Sequence, residues 1–154
     1  MSMLNPEYVS QICKKASESG YFSLLSMKLL NFEIGSSYME MEIEAKHLQP
    51  FGVTHGGVFA SVIDAAAFWS VFPELPPGQG MTTVDLKVNY LAPAISGKVI
   101  VNGKRIKMGK TLGLAEATIL DSSGRVLAHG TSTVMALPDQ NFVDSDLLPQ
   151  KFIK

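Results

Sequence analysis

Between positions 38 and 44 the chain reads Tyr-Met-Glu-Met-Glu-Ile-Glu, large apolar residues alternating with acidic ones. A period of two predicts a β-strand with one dry and one wet face. A β-like run over 21–34 precedes it across Gly35 and Ser36, and four more follow at 81–90, 98–107, 111–120 and 126–136. Turn residues separate them: Ala92-Pro93, Met108-Gly109-Lys110 and Asp121-Ser122-Ser123-Gly124. The last two mark antiparallel hairpins. Two stretches show helical character instead. Tyr8, Val9, Ile12 and Ala16 recur at spacings of three or four behind an N-cap at Asn5 and a first-turn Pro6, which predicts a helix to about Ser19, ended by Gly20. From Val53 to Phe72 nearly every residue is apolar, and a helix apolar all round is a buried helix. Pro73, Pro76, Pro77 and Gly78 end it.

The order is helix, strand, strand, buried helix, four strands. That is an α+β layout, a single antiparallel sheet curled around one helix, and not a βαβ alternation. The 154 residues form one domain, 1–154, with a core over about 21–137 and a polar tail from 139 onward expected to dock or fray. One helix covers one sheet face, so the other face or an edge strand is expected in a subunit interface.

Composition narrows the function classes. Apolar residues make up 46% and charged residues 18%, and the formal net charge is -1. No long-range field points to nucleic acid or an anionic membrane, so any phosphate-bearing ligand must meet a local cluster of bases. The most apolar stretch contains Asp64 and falls short of the roughly 20 unbroken apolar residues of a membrane span. Residues 1–8 have neither a basic n-region nor an apolar h-region. The single cysteine, Cys13, cannot form an internal disulfide and fits a reducing, cytoplasmic setting. Lys14 and Lys15 could lower its pKa, but no histidine lies near it, which makes it a poor nucleophile candidate.

Between Lys46 and Glu74 the only charged residue is Asp64, in the middle of the buried helix. Burying an unpaired carboxylate costs several kcal/mol. Either Asp64 pairs with a base or caps another helix, or it is a carboxylate held in a dry cleft for proton transfer or nucleophilic attack. His55-Gly56-Gly57 stands where that helix begins. Free first-turn N–H groups there suit an oxyanion; the alternative is a tight entry turn with His55 as its cap. His55 and Asp64 are nine residues apart, two and a half turns, so they face opposite sides. If both serve one substrate, they come from two subunits. Ser61 precedes Asp64 by three residues, but no Gly-x-Ser-x-Gly elbow surrounds it. His47 and His129 are far apart, and zinc spacing is absent. Lys104, Arg105, Lys107 and Lys110 cluster around Gly109. They read as a solvated turn or as a seat for phosphates, with Gly109 exposing backbone N–H groups.

The run Phe51-Gly52-Val53-Thr54-His55-Gly56-Gly57-Val58-Phe59-Ala60-Ser61-Val62-Ile63-Asp64 resembles the loop, His-Gly-Gly and central-helix acid of the hotdog-fold thioesterases, specifically the PaaI-like acyl-CoA group. Thr82 through Ala94 and Gly124 through Thr131 are similar to later strands of that family. The resemblance implies a hotdog fold, with the antiparallel sheet wrapped around a long central helix, and hydrolysis of an acyl-coenzyme A thioester. It implies that Asp64 acts as general base or nucleophile, that Gly56 or Gly57 donates to the thioester carbonyl beside His55, and that Gln49 and Thr83 orient the water or carbonyl. Tyr90 falls in the matched strand as a substrate-binding position. Lys107, Gly109 and Lys110 would face the nucleotide of coenzyme A, and Phe68 with Trp69 would make the acyl side bulky and apolar. Many relatives carry Asn where Gln49 stands. No metal and no cofactor is implied, since coenzyme A is part of the substrate. Homo-oligomers with shared sites, as dimers of dimers, are expected. The competing readings are a non-catalytic acyl-CoA-binding hotdog protein and a hotdog hydroxyacyl-thioester dehydratase, whose His-Phe-Pro-Gly motif is missing here.

Overall fold

Asn5 opens the first helix: its side-chain oxygen accepts the Glu7 N–H at 3.0 Å, and Pro6 occupies the first turn. The structure is a computed structural model that describes residues 3–141 and 145–154, so part of the expected tail, 142–144, lies outside the described residues. Helix α1 (Pro6–Ser17) stops at Glu18 rather than Ser19. Gly20, expected to end it, instead begins a second short helix, α2 (Gly20–Leu25). Residues 21–25 therefore correct the strand expected from 21. Tyr-Phe-Ser-Leu-Leu has no alternation to commit it to a sheet, and Ser26 at φ 55 closes the turn through its N–H to Phe22 and Ser23.

What remains of the first run is β2 (Met27–Glu33), and the other strands stand within one or two residues of their expected bounds: β3 (Ser36–Ile43), β4 (Gly80–Tyr90), β5 (Gly97–Met108), β6 (Leu112–Asp121) and β7 (Val126–Leu137). They form one antiparallel sheet in the order β2-β3-β5-β6-β7-β4, which leaves β2 and β4 at the edges. Two short pieces, β1 (Met3–Leu4) and β8 (Phe152–Ile153), pair separately and tie the chain ends together. The sheet wraps α3 (Gly56–Val71), which packs on all six strands.

Small inward residues let this helix lie close. Strand β7 turns Ala128, Gly130, Ser132, Val134 and Ala136 inward, and β6 turns Gly113, Ala115, Ala117 and Ile119. The apolar length Gly56–Glu74 would suffice for a membrane span by composition alone, but 67% of it is packed inside the fold, as a core helix is. The far end of this rod carries an aromatic group, Phe32, Phe68, Trp69 and Phe72, with ring centres 5.1 to 6.3 Å apart.

The tail docks on that same end. Lys151 is buried, and its ammonium donates to the carbonyls of Phe72 (2.9 Å) and Leu75 (2.7 Å) over the Phe72 ring. The Phe72 carbonyl also accepts the Leu75 N–H at 3.2 Å, so Lys151 adds a second donor to the turn that follows α3. Burial pushes the Lys151 pKa down to about 8. A lysine depressed in the folded state works against folding at neutral pH. Relief comes as pH rises from about 8 toward 10.5, where the unfolded chain still holds the proton. Lys151→Ala removes both ammonium bonds, leaving the Phe72 carbonyl only its Leu75 N–H, and we expect a loss of about 1–3 kcal/mol in urea unfolding at pH 7. An unchanged midpoint would show that the tail contributes nothing to the fold.

Candidate active site

Asp64 lies half-buried on α3, one turn beyond Ser61. Its Oδ1 accepts the Thr83 hydroxyl at 2.8 Å and the Ser132 hydroxyl at 3.4 Å. Among the described residues no cation pairs with it. Of the two readings left open by the sequence, a base partner is not the one the fold provides. The carboxylate instead opens on a cavity of about 480 Å³ whose walls include Phe22, Met27, Ala65, Phe68 and Leu86. Asp64 is the one charged residue on those walls among the described residues.

A kink in β4 controls what faces Asp64. Met81 and Thr83 turn inward, then the register slips between Thr83 and Asp85, leaving Val84 51% exposed. Leu86 and Val88 take over the inner positions. Unbroken alternation from Thr83 would have turned Asp85 inward, toward the carboxylate. The bulge puts Leu86 on the cavity wall instead and leaves Asp85 in solvent.

At the start of α3, His55 is the N-cap. Its Nδ1 accepts the Gly57 N–H at 2.8 Å, and its own N–H reaches the His47 carbonyl at 2.8 Å. The Gly57 N–H is thus engaged by the cap, and Gly56 supplies the neighbouring first-turn amide. Tyr90 lies over this turn, with its hydroxyl donating to the Gly56 carbonyl at 3.0 Å. A Cβ on Gly56 would sit 3.0 Å from the Tyr90 ring. Gln49 begins the tight loop before it. Its side-chain oxygen accepts the Phe51 N–H, and its carbonyl accepts the Gly52 N–H at 2.8 Å, with Gly52 at φ 82.

Ser61 lines the same cavity as Asp64, whereas the basic hairpin lies apart from it. Ser61 donates to the Gly57 carbonyl at 2.8 Å and meets the Tyr21 hydroxyl at 2.7 Å, so it forms no triad with His55 and Asp64. A second slip, between Arg105 and Lys107 in β5, divides the basic cluster. Arg105 Nη1 lies 2.6 Å from Glu74 Oε1, an ionic contact rather than an aligned hydrogen bond. Lys107 and Lys110 stay exposed, and the Gly109 N–H is taken by the Leu112 carbonyl at 2.8 Å. This hairpin adjoins Val71 at the end of α3 opposite His55. Cys13 is buried, and burial pushes its thiol up to about 11, against the lowering that its lysine neighbours suggested.

Comparison with known proteins places this geometry. The profile of the thioesterase superfamily matches residues 51–128, from the loop before His55 to the β7 strand. The chain belongs to the thioesterase superfamily. Its relatives include the 1,4-dihydroxy-2-naphthoyl-CoA hydrolase of Listeria monocytogenes, 25% identical over 115 residues, covering 75% of this chain and 94% of that one. Acyl-coenzyme A thioesterase 13 of Mus musculus is 28% identical over 96 residues, 61% of this chain and 68% of that one. Among solved structures, a thioesterase from Haemophilus influenzae superposes with a TM-score of 0.75 at 21% identity, covering 92% and 98% of the two chains, a likeness of fold. The hotdog architecture expected from the sequence is the one this superfamily member has.

Two site residues escaped the sequence. Ser132 carried a signal, since it is the one hydroxyl on the inward-facing row Ala128, Gly130, Ser132, Val134, Ala136 of β7. Tyr21 carried none, because its segment reads as a strand.

Proposed function

We propose that the protein is an acyl-CoA thioesterase, and that Asp64 is the general base for attack of water on the thioester carbonyl. The observation that supports this best is a carboxylate with two hydroxyl donors and no cation, set in an apolar cavity on the central helix. Thr83 and Ser132 both bond Oδ1, which leaves Oδ2 to take the proton of the attacking water. The water oxygen bonds to the carbonyl carbon as the carbonyl π pair moves onto oxygen. Collapse breaks the C–S bond, and the coenzyme A thiolate leaves with the proton that Asp64 accepted. The products are the free acid and the thiol.

The first-turn amide of α3 that the cap leaves over, at Gly56, holds the developing oxyanion, since the Gly57 N–H is held by His55. Eight residues separate Gly56 from Asp64, about 12 Å along the helix axis at the usual rise. One carbonyl cannot touch both in a single chain, so the site is shared between two copies, with Gln49, His55 and Tyr90 shaping the partner's side. Lys107 and Lys110 serve the phosphates of coenzyme A, and Phe68 lines the acyl end. The relatives named for acyl-CoA hydrolysis favour this substrate class. A cytoplasmic setting agrees with the lone, buried thiol of Cys13.

The test is a panel of acyl-CoAs with detection of released thiol. We expect turnover by the wild-type protein and a fall of about tenfold in Thr83→Ala, which removes one bond orienting Asp64. Binding of acyl-CoA without any thiol release would replace this reading with that of a binding protein.

A further inference from the structure

The stripe Ala60, Ser61, Asp64, Ala65 and Phe68 of α3 faces the cavity, and α2 faces it from across with Tyr21 and Phe22. Taken as an element, α2 is weakly built. It has six residues, Ser19 gives it no side-chain cap, and none of its residues is fully buried. Tyr21 is 57% exposed and Leu24 64%. Its two ends are nonetheless fixed. At the C-terminal end the buried His47 ring bonds the Leu25 carbonyl at 2.8 Å, and Lys46 reaches the Ser26 hydroxyl at 2.7 Å. At the N-terminal end the Tyr21 hydroxyl bonds the Ser61 hydroxyl at 2.7 Å, joining α2 to α3. Ser61 spends its single proton on the Gly57 carbonyl, so the phenol must donate to Ser61. The chain of donors, Tyr21 to Ser61 to Gly57, fixes the ring across one end of the cavity. Ser61 and Asp64 are three residues apart, about 4.5 Å along the axis.

We propose that α2 is the specificity wall of the acyl pocket, and that Tyr21, latched to Ser61, selects a short, flat acyl group over a long straight chain. This rests on the reading of Asp64 as the site of thioester attack. An acyl group with its carbonyl at Asp64 has about one helical turn before it meets the phenol. A flat aromatic acyl group turned toward α2 fits within that span beside Phe22, whereas a straight chain running the same way must displace Tyr21; Phe68 lies one turn beyond Asp64 on the other side. Releasing the latch admits methylenes into an apolar slot, each favouring the longer chain by about fourfold.

The experiment compares benzoyl-CoA with decanoyl-CoA for the wild type, Tyr21→Ala, Tyr21→Phe and Ser61→Ala, with circular dichroism to verify folding. We expect the wild type to favour benzoyl-CoA. The decanoyl-to-benzoyl ratio of kcat/KM should rise at least tenfold in Tyr21→Ala. Tyr21→Phe and Ser61→Ala, which break the latch but keep the ring or its neighbour, should raise it by a smaller and mutually similar factor. Ratios within twofold of wild type in all three variants would overturn the proposal. Calorimetric binding of the corresponding non-hydrolysable thioether analogues separates it from the hydrolase reading. A selectivity shift in binding without turnover would sink the hydrolase and keep the wall. Turnover without a shift would sink the wall and keep the hydrolase, and neither turnover nor binding would sink both.

Discussion

Asp64→Asn should lower kcat/KM for acyl-CoA hydrolysis by about 10²–10⁴, the range for loss of a general base, with little change in melting temperature. The substitution is nearly isosteric. The amide oxygen still accepts from Thr83 and Ser132, the two donors that place the side chain. What disappears is the basic lone pair and the charge, so proton removal from water stops while cavity shape persists. Stability should hold or rise, because a half-buried carboxylate without a cation costs desolvation that an amide does not. The effect belongs in kcat, since ground-state contacts to the acyl group are unchanged. Turnover within about fivefold of wild type, in a folded variant, would remove Asp64 from the chemistry. A collapse of the melting temperature would instead mean that the carboxylate holds the fold together.

The same residue shows what a sequence exposes of a site. Asp64 is conspicuous because nothing else between Lys46 and Glu74 is charged, and the helix around it is long and uniformly apolar. Strand β3 is equally legible, since its Glu residues mark one face without a break. The slips at Val84 and Ile106 are not legible: a bulge leaves no local compositional mark, yet each decides which side chains meet the helix. One keeps Asp85 away from Asp64. The other ties Arg105 to Glu74 and leaves Lys107 in solvent, dividing a cluster that looked continuous in the chain. Residues 21–25 form a helix where a strand is expected, because five residues without alternation carry no period at all and packing on β2 decides for a helix. At His55 the sequence left a cap and an anion seat open together. The cap is made, and it uses the Gly57 amide to do so.

Gly103→Ala should destabilise the protein by about 3 kcal/mol or more, at the upper end for overpacked positions. Gly103 lies on β5 opposite Ala117, facing α3. A Cβ there would run into the Ala66 carbonyl oxygen and the Ser37 hydroxyl, with the Ala66 carbonyl carbon at 2.6 Å. Neither obstacle is a flexible tip. Ser37 is fully buried and donates to that same carbonyl at 2.6 Å, so it cannot swing away without orphaning it. The helix itself must lift from the sheet, loosening the fully buried contacts of Ala66, Ala67 and Val101. Gly124→Ala is the matching control. At φ +84 it strains the backbone by about 1–2 kcal/mol, with open space around its Cβ. Urea unfolding of both variants should rank Gly103→Ala well below Gly124→Ala, whereas equal midpoints would mean that helix and sheet are not in backbone contact at this point. Because Ala66 is two residues beyond Asp64, lifting the helix also draws the carboxylate away from Thr83 and Ser132. The fraction of Gly103→Ala that remains folded should therefore hydrolyse thioesters more slowly than the equally folded Gly124→Ala, which joins the close fit of helix on sheet to the placement of the base.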